Sequence, residues 1–131
     1  MKRFFKVFCL SLAFVLVACS SPATKVEYIV EANEAITLLN SHLDKVKDDK
    51  EFEEKITALS DAFAKIDALE MSEENEKITA EVVKNGNDLV ECVKNLRTYH
   101  LKDNVDKYNA EIINYNKLIS TMNDLSDSIV E

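Results

Sequence analysis

Apolar residues recur at helical spacing from Val26 to the end of the chain. In the first segment they are separated by alternating steps of three and four residues: Ile29, Ala32, Ile36, Leu39, Leu43 and Val46. This spacing places them on one face of an α-helix. A fully charged run, KDDKE, follows, after which the stripe is out of phase. We predict a corner near 48–50, capped by Asp48 with Glu51; one continuous helix of about 45 residues is the alternative.

Two further features organise the segments that follow. Ser72 precedes three glutamates within four residues, and Asp103 precedes an acid at the capping spacing, which are both typical of helix starts. Gly86 lies between these starts, but apolar residues seven apart continue across it. We therefore predict an unbroken helix, in which Gly86 costs about 1 kcal/mol relative to Ala. That cost is offset if the glycine allows a neighbouring helix to approach closely.

The last segment has the most regular heptad pattern. Its two predicted core rows are Val105, Ile112, Ile119 and Ser126, and Tyr108, Tyr115, Met122 and Ile129. The whole chain holds one glycine and one proline, too few for the turns of a sheet protein. We predict an all-α fold: an up-down antiparallel bundle of about four helices over residues 26–131, with corners of about two to four residues. A three-helix bundle with one long helix is the alternative.

The amino-terminal residues follow a different pattern. Lys2, Arg3 and Lys6 precede an apolar run that continues to Val17. A basic start, a short apolar core and a small residue before the cleavage site define a secretory signal. The run is shorter than the roughly 20 residues that span a bilayer, so we expect cleavage rather than a transmembrane anchor.

The residues Leu16-Val17-Ala18-Cys19 end this run and resemble the lipobox of bacterial lipoproteins. The resemblance implies cleavage between Ala18 and Cys19, and a lipid on the Cys19 sulfur that binds the protein to a membrane. Residues 1–18 would be the signal peptide and residues 19–25 the lipid-attachment cysteine with a short tether. The implied location is the bacterial cell envelope, and Ser20 favours the outer membrane if the source is Gram-negative. An ordinary signal with an incidental Cys19 is the alternative.

The charge balance argues against one class of partner. Residues 1–18 contain three basic residues and no acidic one, so cleavage changes the formal net charge from −8 to −11. Such a surface repels nucleic-acid phosphates and anionic lipid head groups. We therefore expect no nucleic-acid partner.

The chemistry-bearing residues are few and scattered. The chain has no phosphate-binding loop and no H-E-x-x-H or C-x-x-C motif, so we expect neither an enzyme nor a cofactor or metal site. His42 and His100 lie beside the apolar stripes, and either is capable of binding a metal or haem with Met122, although solvated histidines are the ordinary interpretation. Cys92 is the one free thiol of the mature chain, either buried and inert or exposed and able to form an intermolecular disulfide.

Asparagines repeat at heptad spacing beside the core stripes of the first and last helices. They are Asn33, Asn40, Asn109, Asn116 and Asn123. Because asparagine is a mediocre helix former, we hypothesise a polar seam between these two helices that specifies their register. A bias in surface composition is the alternative.

The sequence does not identify the role of the domain. The predicted membrane anchor and the lack of catalytic motifs favour a non-catalytic helical module that binds an unidentified protein or supports the envelope structurally. The alternative is a carrier that holds a small apolar ligand or haem in the bundle core.

Overall fold

The computed structural model describes residues 22–131. The predicted signal peptide, the cleavage site and Cys19 lie outside these residues. The described part contains four α-helices, one 3-10 turn and no strand. They are α1 (Lys25–Leu39), the 3-10 turn (Leu43–Lys45), α2 (Asp49–Asp67), α3 (Glu73–Leu101) and α4 (Val105–Asp127). The all-α four-helix fold is thus confirmed, and the alternatives with one long helix are wrong.

Each helix begins after a residue whose side chain accepts a hydrogen bond from the backbone N–H three positions on. These caps are Thr24, Asp48, Ser72 and Asn104. A cap of this kind satisfies an otherwise unpaired donor and stabilises a helix by about 1 kcal/mol. The predicted caps Asp48 and Ser72 are confirmed. The last helix is capped by Asn104 rather than Asp103, because Asp103 adopts a left-handed backbone with φ 56°.

Contacts between helix ends establish that neighbouring helices are antiparallel. Phe52, near the start of α2, lies against Arg97 near the end of α3, with the guanidinium 4.4 Å from the ring centre. Tyr28, near the start of α1, is hydrogen-bonded to Ser126 near the end of α4 at 2.7 Å. The helices therefore run up, down, up and down, with α1 beside both α2 and α4.

The core lies mainly between α2 and α3. Six residues of α2 are buried and nine of α3, against two of α1 and none of α4. The buried apolar residues of α2 are Phe52, Ile56, Leu59, Ala62, Phe63 and Ile66. Their three- and four-residue spacing is the stripe predicted for this segment, which buries a continuous helix face.

At Gly86 the Phe63 ring of α2 packs against the backbone of α3. A methyl group added at Gly86 would lie 2.5 Å from Cδ1 of Phe63. Helix α3 continues unbroken through this residue. Both predictions for Gly86 are confirmed: its hydrogen side chain makes room for an aromatic ring of the neighbouring helix.

The first helix is shorter than its apolar stripe predicted. It ends at Leu39, and residues 40–48, which we call the linker, connect it to α2. His42 has φ 58°, a left-handed conformation in which the right-handed helix cannot continue. Leu43 is nevertheless buried, so this residue of the predicted apolar stripe packs in the core although it does not lie on an α-helix. The prediction of a corner of two to four residues is therefore wrong here.

Arg97 of α3 holds the linker in position. Its guanidinium donates hydrogen bonds to the carbonyl oxygens of Val46 and Lys47, at 2.8 and 3.0 Å, and to the carboxylate of Asp49 at 2.6 Å. A planar guanidinium with several fixed donors suits this task better than a lysine. One side chain thus satisfies carbonyl groups that a longer helix would have paired internally.

Three predicted core positions are exposed. Ile29 and Ile36 are 42% and 48% exposed, because α1 turns Tyr28 and Ala35 toward the core instead. Val105 is 60% exposed at the start of α4. Helix α4 packs closely on α3, and α1 is too short to cover its first turns, so the regular heptad pattern of α4 leads to partial burial only.

Candidate functional site

The bundle begins directly after the predicted lipid-attachment residue. The backbone N–H of Ala23 donates to the carbonyl oxygen of Glu70 at 2.8 Å, and Thr24 caps α1. Residues 20–22 therefore separate Cys19 from Ala23, the first hydrogen-bonded residue of the described range. Four peptide units span at most about 14 Å. If Cys19 carries lipid, the start of α1 lies close to the bilayer.

Three parts of the chain meet at this end of the bundle, which we call the proximal end. They are the start of α1, the corner at 68–72 and residues 128–131. The side-chain amide of Asn75 bonds both backbone groups of Val130, donating to its oxygen at 2.7 Å and accepting from its nitrogen at 3.0 Å. Asn75 is 2% exposed, so this clamp fixes the final residues against α3.

The outer side of α1 carries no charge. Six exposed residues, which we call the α1 face, share about a third of the helix circumference: Val26, Ile29, Val30, Asn33, Ile36 and Thr37. Val26 and Val30 are 62% and 61% exposed. These two valines had no predicted role, although their spacing of four residues, off the core stripe, indicated a second apolar strip on the helix. The result is an apolar strip on the helix nearest Cys19.

The acidic residues of α1 lie on another flank, whereas Lys25 lies one turn before Ile29 at the edge of the α1 face. Glu34 accepts a hydrogen bond from Nζ of Lys65 on α2 at 3.1 Å. Both side chains are about half exposed, so the pair contributes little to stability. Its consequence is positional: the acidic residues of α1 border α2, and the α1 face stays uncharged.

The five asparagines of the hypothesised seam are all exposed. Among residues 22–131 no hydrogen bond joins the side chain of one to another, and the polar link between α1 and α4 is the bond between Tyr28 and Ser126. Asn33 belongs to the α1 face, and Asn123 lines the groove between α1 and α4. The seam stays a prediction.

A cavity of about 280 Å³ lies between the linker, α3 and α4. We call it the linker cleft. Its apolar lining is Leu39, Leu43, Val93, Leu96 and Ile112, and its polar lining is Asn40, His42, Asp44, Lys45, Tyr108 and Tyr115. The cleft exists because the linker replaces the helical turns that the sequence stripe predicted.

Three of the polar residues that line the linker cleft pair with one another. The Tyr108 hydroxyl donates to Oδ2 of Asp44 at 2.5 Å, and Nζ of Lys45 lies 3.6 Å from the same carboxylate. Burial and then the Asp44 charge raise the pKa of Tyr108 to about 12. Burial likewise raises the pKa of Tyr115. At neutral pH both phenols are therefore protonated.

The two histidines and Met122 do not converge. His42 lines the linker cleft, and His100 lies in a neighbouring depression with its ring centre 6.2 Å from that of Tyr108. Met122 lines the groove between α1 and α4 instead. Over the described range, no group of three or more side chains is arranged to hold a metal ion.

Cys92 is buried against α4. Its thiol, 1% exposed, donates to the carbonyl oxygen of Glu111 at 3.6 Å. Burial and the neighbouring Glu111 raise its pKa to about 12. The structure therefore supports the buried, inert thiol and not a residue available for an intermolecular disulfide.

Comparisons with known proteins add no family assignment. No family model matches the chain, and no curated protein or solved structure matches it significantly. Within residues 22–131, the helices are too polar or too short to traverse a bilayer. Functional inference thus depends on the geometry of the residues themselves.

Proposed function

We propose that this chain is a bacterial envelope lipoprotein, attached to a membrane through a lipid on Cys19. Its bundle serves as a non-catalytic module that binds an unidentified protein or supports the envelope structurally. The supporting observation is that the described bundle follows the lipobox-like residues closely in sequence, with Ala23 already hydrogen-bonded to Glu70 in the corner before α3.

Lipid attachment accounts for membrane residence without a spanning helix. Each buried methylene group contributes about 0.8 kcal/mol, so one acyl chain binds marginally and two or three bind firmly. The acidic bundle by itself is repelled by anionic lipids. The lipid on Cys19 is thus the group that keeps the protein on the bilayer.

The test of this proposal is the fate of Cys19 in the full precursor. We expect Cys19→Ser to move the protein from the detergent phase to the aqueous phase after detergent phase separation, because the lipid has no other attachment site. Cys92→Ala is the matched control and should remain in the detergent phase. Intact mass should show a terminus at Cys19 with added lipid; retention of Met1 or an unmodified Cys19 thiol would contradict the proposal.

The non-catalytic role is supported by the linker cleft. Its carboxylate, Asp44, is engaged by the Tyr108 hydroxyl and by Nζ of Lys45. Affinity capture from detergent-solubilised membranes, with the lipidated protein as bait, tests for the partner. A specific partner lost on substitution of bundle surface residues supports the proposal, whereas turnover of a small molecule by the pure protein contradicts it.

A small-ligand carrier is the second candidate, and the linker cleft is the observation that favours it. Its volume of about 280 Å³ is near the lower end of small-molecule sites, which start at about 300 Å³. The site lies beside the core and not within it, since Leu59 and Leu89 are fully buried. A molecule that co-purifies with the wild type but not with Ile112→Trp, detected by native mass, would support a carrier.

A further inference from the structure

We propose that the α1 face docks on the lipid bilayer, so that the bundle lies with α1 against the membrane surface. This inference rests on the proposed lipidation of Cys19. The occupant of the face is the boundary between the head groups and the acyl chains.

The reach of the chain supports this position. Cys19 and Ala23 are separated by at most about 14 Å, and α1 begins two residues after Ala23. A lipid inserted in the bilayer therefore holds the first turn of α1 at head-group depth or just above it. Val26, Ile29 and Val30 occupy the first two turns and are exposed.

The distribution of charge at the proximal end favours one side of the bundle for contact with the bilayer. Five exposed carboxylates surround the rest of the proximal end: Glu70, Glu73, Glu74, Asp127 and Glu131. Their burial at a membrane would cost desolvation energy, and anionic head groups repel them. The α1 face next to them has no charge. Contact through this face is the arrangement that brings the start of α1 to the bilayer and keeps the carboxylates in water.

The composition of the α1 face fits an interfacial helix. Such helices bury an apolar face about 5–10 Å into the head-group boundary. Val26, Ile29, Val30 and Ile36 supply the apolar surface, and Asn33 and Thr37 supply side chains that can hydrogen-bond to head groups. The face is too weak to bind alone, but the lipid on Cys19 raises its local concentration at the membrane.

A second copy of the chain fits this face less well. Stable protein interfaces use roughly 20–30 residues on each side. The α1 face has six residues and lies on a 15-residue helix. The size of the face therefore favours the bilayer over a dimer.

The experiment uses the lipidated protein in phosphatidylcholine vesicles. Val30→Cys carries an environment-sensitive fluorophore, and Ala64→Cys, exposed on α2, is the matched control. The buried Cys92 and the lipidated Cys19 are not expected to react with the label. We expect nitroxide groups on the lipid acyl chains to quench the label at residue 30 at least about two-fold more than the label at residue 64.

Each outcome distinguishes the docking from the proposed function. Equal quenching at residues 30 and 64, in protein whose mass shows lipid on Cys19, overturns the docking and leaves the lipoprotein proposal intact. A blue-shifted label at residue 30 without lipid quenching means that a second copy covers the face, which also overturns it. Protein without lipid on Cys19 overturns both proposals.

A charge variant provides an independent measurement. Val26→Asp should reduce the quenching of the label at residue 30 by about two-fold, because a carboxylate resists burial at the membrane. Thr57→Asp on the exposed side of α2 should leave it unchanged. Val26 is largely exposed, so the substitution should not unfold the bundle. Unchanged quenching with Val26→Asp would overturn the docking.

Discussion

Helices α1 and α2 are neighbours of similar length that use their apolar residues in opposite ways. Helix α2 buries six residues, and eight of its eleven exposed residues are charged. Helix α1 buries two, and of its eight exposed residues two are charged and four are valine or isoleucine. The α2 pattern is that of a helix with a core side and a water side. In α1 half of the exposed residues are apolar, and this is the observation on which the proposed docking rests.

The largest expected difference is in the free energy of unfolding, when one side chain of each helix is truncated to alanine. Leu59→Ala on α2 removes a fully buried side chain and should lower the free energy of unfolding by about 2–5 kcal/mol. Val30→Ala on α1 removes an exposed one and should change it by less than about 0.5 kcal/mol. Urea unfolding of the domain measures both. Comparable losses would mean that the exposed valine is buried in solution and that the two helices do not differ as described.

The next test concerns the contact between the Phe63 ring of α2 and Gly86 of α3. Gly86→Ala should lower the free energy of unfolding by about 1–3 kcal/mol, because the new methyl group meets the Phe63 ring. Alanine otherwise favours a helix by about 1 kcal/mol over glycine, so a stabilised variant would refute the close contact. Asn87→Ala, at an exposed neighbouring position of α3, is the control for helix propensity.

The smallest effect concerns the attachment of α1 to α4. Tyr28→Phe removes the hydroxyl that bonds Ser126 and should cost about 0.5–1.5 kcal/mol. Burial raises the pKa of Tyr28 above 10.0. As the pH rises above 10, the unfolded tyrosine therefore ionises before the folded one, and stability is lost. The difference between wild type and Tyr28→Phe should thus shrink above pH 10 in urea titrations; a constant difference would contradict a buried phenol.

The sequence predicts the elements that depend on local chemistry. Side-chain caps at Asp48 and Ser72 act within one turn, so the residues themselves determine where α2 and α3 begin. The spacing of apolar residues in these helices also predicts the buried face. Gly86 was predictable because a helix-breaking residue in a regular stripe needs a reason.

The linker and the rotation of α1 about its axis could not be predicted in this way. The stripe through Leu43 and Val46 has helical spacing, but the left-handed backbone of His42 and the hydrogen bonds from Arg97 are tertiary features. The rotation of α1 depends on which neighbour it meets, and the burial of Tyr28 rather than Ile29 is decided there. The linker cleft results from these long-range contacts, which the spacing of apolar residues along the chain does not predict.

Because α1 is short, the two ends of the bundle should differ in how easily they unfold locally. Its 15 residues rise about 22 Å, while the 29 residues of α3 rise about 43 Å. The proximal end therefore has four packed helices, whereas the far end has three helices and a linker whose carbonyl groups depend on Arg97. Local opening should begin at the far end and leave the proximal end folded, so thermal fluctuations would concentrate away from the lipid attachment site.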